Sequence, residues 1–173
     1  MNWIILAAVV LILAGGFTFY YYRPKKQKRT ESIYTHALNA MVRGDTRTAL
    51  NHLRDVVKQD TNHINAYLQM GDILREEGHT QAAVKIHQSL TVRPNLSNDI
   101  RRDIHQSLAL DFEQMDYLNK ARREAELVLK LDRKNLWANH FLLKIFENQR
   151  EWDKATQITK SIQKLKQSQD PNQ

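Results

Sequence analysis

The sequence predicts an all-α protein, an N-terminal transmembrane helix followed by an α-solenoid of about four helix pairs. Three observations predict it. Residues 3–22 carry no charged side chain. Four alanines, Ala49, Ala83, Ala121 and Ala155, recur at spacings of 34, 38 and 34 residues, each ahead of an apolar helical stretch. The 173 residues include only five Gly and three Pro, too few for the hairpins of a turn-rich β fold.

The N-terminal element comes first. Twenty uncharged residues at helical rise span about 30 Å, the hydrocarbon thickness of a bilayer. Ten of them are Ile, Leu, Val or Phe, each favouring insertion by roughly 0.3–0.6 kcal/mol at a helix centre. Trp3 at one end and Tyr20, Tyr21 and Tyr22 at the other stand where aromatic rings prefer to sit, at the two water interfaces. Arg23, Lys25, Lys26, Lys28 and Arg29 follow at once. Basic flanks stay on the cytoplasmic side, so the expected topology is a single membrane pass with the N-terminus outside and the C-terminal part cytoplasmic. A cleaved signal peptide is the competing reading. It is disfavoured by charge on the wrong side, the length of the apolar run and the lack of a small-x-small cleavage site.

The net charge of +7 is mostly this cluster. From Thr30 onward 21 basic residues face 19 acidic ones, a net +2, so no nucleic-acid footprint is expected on the folded part. The cluster itself suits anionic lipid headgroups.

The repeat comes next. Twelve residues before each marker alanine stand Ala37, Gly71, Ala109 and Leu143, and seven after stand Val56, Leu90, Val128 and Ile162. Five before, where a helix pair must turn, stand Gly44, Gly78, Asp116 and Arg150. Glycine ends a helix well because it takes the left-handed conformation cheaply. Helix, tight turn and second helix at this period resemble the tetratricopeptide repeat. Repeat two matches best, and the four extra residues fall near Arg93–Ser97, where Pro94 ends one helix and Ser97 caps the next. The expected organisation is a span over 1–22, a basic linker over 23–29, repeats over 30–63, 64–97, 98–135 and 136–169, and a tail over 170–173.

Chemistry is hard to find. No cysteine is present, which removes disulfides, thiolate metal sites and a cysteine nucleophile. The seven histidines, at 36, 52, 63, 79, 87, 105 and 140, never fall at the i, i+3 or i+4 spacing that puts two metal ligands on one helix face. His36, His87 and His105 sit at packing positions of the repeat. No serine elbow or phosphate-cradling glycine loop occurs. No catalytic residue, cofactor or metal is expected, and the chain reads as a non-enzyme.

What remains is surface. In such a solenoid the first helix of each pair lines the concave face, and the register puts Tyr34, Leu38, Met41, Leu68, Asp72, Arg75, Gln106, Leu110, Glu113, His140 and Lys144 there. Tyr34, Leu38, Met41, Leu68 and Leu110 would form an apolar strip rimmed by charge, a groove for a helix or peptide. The alternative is that some of them pack against the juxtamembrane helix.

The order of span, basic stop and repeats, together with Gly71-Asp72-Ile73-Leu74-Arg75 and Ala83-Val84-Lys85-Ile86-His87-Gln88-Ser89-Leu90, resembles the lipopolysaccharide assembly protein B family of Gram-negative bacteria. The resemblance implies a non-enzymatic inner-membrane adaptor. Its partners would be a membrane AAA protease, which removes the deacetylase committing carbon to lipid A, and other lipopolysaccharide biosynthesis or transport proteins. The family also carries a rubredoxin-like module with two Cys-x-x-Cys pairs. This chain has no cysteine, so that metal site is not carried over, and the chain is either a short relative or the repeat part of a longer protein. The other reading of the same features is a membrane-tethered structural or chaperone-like factor for secretion, cytochrome maturation or pili.

Overall fold

A computed structural model describes residues 2–167, without the side chains of residues 2, 4, 6 and 19–28. Among the described residues there are eight helices: α1 (Asn2–Val42), α2 (Thr46–Gln59), α3 (Ile64–Glu76), α4 (Thr80–Thr91), α5 (Asn98–Gln114), α6 (Leu118–Leu131), α7 (Leu136–Asn148) and α8 (Trp152–Gln167). Three residues separate the helices within each pair, α1/α2, α3/α4, α5/α6 and α7/α8. The all-helical, paired architecture agrees with the periodicity.

All four turns use one device. Gly44, Gly78, Asp116 and Arg150, the four turn positions of the repeat, have φ of 73°, 84°, 60° and 58°. In each turn the next amide reaches back five residues, closing a six-residue turn: Asp45 N to Ala40 O (2.9 Å), His79 N to Leu74 O (2.8 Å), Tyr117 N to Phe112 O (2.8 Å) and Glu151 N to Phe146 O (2.8 Å). The left-handed residue donates to the carbonyl three before it. This is the Schellman stop, which satisfies carbonyls left open at a helix end. Two turns obtain it from glycine, and two hold a residue with a side chain in the same strained region.

Side-chain caps start several helices. Asp45 accepts from Thr48 N (3.0 Å), Ser97 from Ile100 N (3.3 Å) and Asn135 from Ala138 N (2.9 Å), each filling an orphan donor of the first turn. The Ser97 cap is the expected one, beside a left-handed Asn95 at φ 58°.

The repeat stripe is the core. All four marker alanines are buried, as are Val56, Leu90, Val128 and Ile162. Ala37, Gly71 and Ala109 are buried too, while the bulkier Leu143 is half-exposed. The chain divides into two compact units, residues 1–66 and 67–173. In the first, Ala37 and Ala40 of α1 are fully buried, as are Ala49, Leu53 and Val56 of α2. In the second, Leu108, Ala109 and Phe112 of α5 and Phe141, Leu142, Ile145 and Phe146 of α7 are buried.

The N-terminus differs from expectation in one respect. Residues 23–29, expected as a linker, lie inside α1, which runs unbroken from the apolar N-terminal stretch into the first repeat. Among the described residues no helix is long and apolar enough to cross a membrane. The expected span draws on residues 4, 6 and 19–22, whose side chains lie outside the described ones. The side chains of Tyr20, Tyr21, Tyr22, Arg23, Lys25, Lys26 and Lys28 lie outside them as well, while Trp3 and Arg29 are exposed.

Candidate functional site

The expected groove residues fall in both units. In the first unit, Tyr34 and Met41 are half-buried and Leu38 lies at the edge of exposure, with 36% of its surface accessible. The Tyr34 ring lies 4.5 Å from that of His63. Burial, and secondarily the nearby Glu31, pushes its phenol above the ordinary range.

In the second unit, Gln106, Leu110 and Glu113 of α5 are half-buried, and His140 and Lys144 of α7 are exposed. Lys144 Nζ meets Glu113 Oε1 at 2.8 Å, linking the first helices of consecutive pairs. This leaves an amide, an apolar side chain and an ion pair within reach of a partner.

Leu68 corrects the sequence reading. It is buried, 6% exposed, and is part of the packing, not a groove wall. Asp72 and Arg75 need a second correction, because both are spent on an internal network instead of standing free. Arg75 Nη1 donates to Asp72 Oδ1 (2.6 Å) and to Asp111 Oδ1 (3.1 Å). Ser107 Oγ donates to Asp72 Oδ1 (3.1 Å), and Gln114 Nε2 donates to the Arg75 carbonyl (3.1 Å). Burial works against the Arg75 guanidinium, yet the carboxylates of Asp72 and Asp111 outweigh it and raise the group above the usual arginine range.

At the centre of this network lies His87, fully buried on α4. Its Nδ1 is 2.6 Å from Asp111 Oδ2, and its Nε2 is 3.3 Å from the Leu68 carbonyl oxygen. The ring, which completes a quartet with Asp72, Arg75 and Asp111, is thus held between a carboxylate and a backbone carbonyl, so this buried polar group is partnered at both nitrogens. Gly71 makes room for it. A β-carbon there would lie 2.7 Å from His87 Cε1 and 2.8 Å from Cδ2, so glycine is needed for the ring to lie against α3.

The quartet joins α3, α4 and α5, and sequence reasoning found only part of it. His87 was placed at a packing position, as observed, but Asp111 and Ser107 were missed. The available signal was Asp111 itself, a carboxylate in the stripe that contains Leu108, Ala109 and Phe112.

The other two packing histidines differ. His36 is exposed, contrary to its expected role, because α2 covers only the Ala37 and Ala40 side of α1. His105 is half-buried, with Nδ1 2.7 Å from Glu124 Oε2. Among the described residues no group of three or more His, Asp or Glu is placed to hold a metal ion.

Known proteins share both fold and sequence features with this chain. None of the known family models matches it. Lipopolysaccharide assembly protein B of Escherichia coli K12 is 25% identical over 132 residues, which cover 76% of this chain and 34% of that protein. The protein of the same name from Haemophilus influenzae is 26% identical over 143 residues, covering 77% and 36%. The chain thus spans about a third of the length of these relatives. A tetratricopeptide repeat protein from Parabacteroides merdae superposes with a TM-score of 0.70 at 15% identity, covering 80% of this chain and 54% of that one. MamA superposes with a TM-score of 0.71 at 19% identity, covering 80% and 79%. The chain therefore has the fold of tetratricopeptide-repeat proteins, and its sequence is similar to that of lipopolysaccharide assembly protein B.

Proposed function

We propose that this chain is a non-enzymatic repeat adaptor held at the bacterial inner membrane by residues 3–22, with its N-terminus periplasmic and its repeats cytoplasmic. It binds protein partners of lipopolysaccharide assembly and supports control of lipid A synthesis through a membrane protease. The observation that carries this reading is the likeness to lipopolysaccharide assembly protein B over three quarters of the chain.

Physical features support the same reading. Ile5, Val9, Val10, Leu11, Ile12, Leu13 and Phe17 are all exposed on one helix, a continuous apolar surface that is unfavourable in water and at home in lipid. The basic residues after it orient such a helix with its C-terminal end in the cytoplasm. Confinement to the membrane plane raises the effective concentration of membrane partners, so modest contact through Gln106, Leu110, Glu113, His140 and Lys144 suffices.

Two measurements test the proposal. A reporter fused to the C-terminal end should be active in the cytoplasm, and periplasmic activity would refute the topology. The full chain should co-purify with a membrane AAA protease, and a Gln106→Ala, Lys144→Glu variant should lose that partner while retaining its helical spectrum. Unchanged deacetylase and lipopolysaccharide levels in a deletion strain would instead point to an assembly factor for another envelope system.

A further inference from the structure

Two histidines far apart in sequence meet on the surface of the first unit. His36 projects from α1 and His52 from α2, with ring centroids 5.9 Å apart and planes inclined by 37°. Spacing within one helix cannot reveal this pair, because it forms only when the hairpin closes.

Three observations favour a chelate over an incidental contact. The first is distance. With metal–nitrogen bonds of about 2.1 Å, two imidazoles on neighbouring coordination positions have ring centres roughly 4.6–5.3 Å apart, so a small side-chain rotation brings these rings into range from 5.9 Å. The second is availability. His63, His87 and His105 each spend a ring nitrogen on Ala66 N, Asp111 or Glu124, whereas His36 and His52 form no hydrogen bond among the described residues. The third is rigidity. Each histidine adjoins a fully buried residue of the same hairpin interface, Ala37 for His36 and Leu53 for His52, so the backbone holds the two side chains near each other and only the side chains need rotate.

We propose that His36 and His52 form a two-histidine site for a divalent transition ion of the borderline class, such as Ni(II) or Zn(II), with solvent or a partner's side chain completing the coordination. Imidazole is the preferred ligand for these ions, and the site leaves coordination positions open on the solvent side. Binding ties α1 to α2 and stabilises the hairpin, because the unfolded chain does not hold the two rings together.

The test uses the untagged full-length chain in detergent, after treatment with a chelator. At hundredfold excess over its dissociation constant, Ni(II) or Zn(II) should raise the unfolding midpoint by roughly 5 °C or more. His36→Gln and His52→Gln should each abolish the rise while melting like the parent in chelator. An equal rise in both variants would assign binding to other histidines and overturn the site, as would no rise in the parent with either ion. Calorimetric titration gives a second readout that does not depend on variant stability. One ion per parent chain and none per variant is expected, and unchanged binding by either variant overturns the proposal.

Discussion

The imidazole of His87 lies against the backbone of Gly71, so close that a β-carbon at position 71 would sit 2.7 Å from its Cε1. One residue's lack of a side chain and another's buried polarity are thus a single feature. Gly71→Ala should force the ring to shift and disturb its bond to Asp111, destabilising the fold by about 1–3 kcal/mol, as overpacking generally does. Urea unfolding of the two proteins measures this. An unchanged midpoint would mean that the ring moves freely.

Asp111 accepts from both Arg75 and His87 while having no exposed surface. Asp111→Ala leaves the fully buried His87 ring without its carboxylate and takes from Arg75 one of its two, a loss of about 1–3 kcal/mol. The coupling is open to a double-mutant cycle. His87→Gln and Asp111→Asn should be non-additive by roughly 0.5–3 kcal/mol, and simple additivity would argue that the two side chains do not interact.

Arg150 adopts φ 58° where two of the other repeats use glycine. Arg150→Gly should relieve left-handed strain and stabilise the chain by about 1 kcal/mol, despite the greater freedom of glycine in the unfolded state. Gly78→Ala should cost a similar amount. Thermal midpoints moving in opposite directions would establish the backbone as the cause.

Asp45 makes a pH dependence predictable. Hydrogen bonds from Thr48, first through its side chain and then its backbone, hold the Asp45 carboxyl below its ordinary 3.8. A lowered carboxyl contributes stability that is fully present above the unfolded value and is lost as pH falls through the folded one. Asp45→Asn keeps a capping oxygen without this titration. The parent should therefore lose stability relative to the variant as pH drops below about 4, with parallel curves at higher pH. A constant difference across that range would contradict the capping role.

These four sites show what was legible in the sequence. Ala49, Ala83, Ala121 and Ala155 announced the helix pairs because a small residue at a fixed register serves local packing, which recurs with the repeat. Gly44 and Gly78 announced their turns by residue type. Asp116 and Arg150 adopt the same conformation because the flanking helices and the six-residue hydrogen bond impose it, which residue type does not reveal. The candidate surface was less readable. Register alone put Leu68, Asp72 and Arg75 among the groove residues, but the charged pair turned inward because Asp111 and His87 arrive from two other helices. Such a meeting depends on how the helices pack, and no local pattern encodes it.

The quartet, buried at His87 and Asp111, also constrains how this protein can change over generations. Asp72, Arg75, His87 and Asp111 can be exchanged together for an apolar set of similar volume at little cost, whereas removing Asp111 alone takes a partner from both Arg75 and His87. Single substitutions at Asp111, His87 or Gly71 therefore carry a stability cost that a joint exchange avoids, whether or not these residues touch a partner.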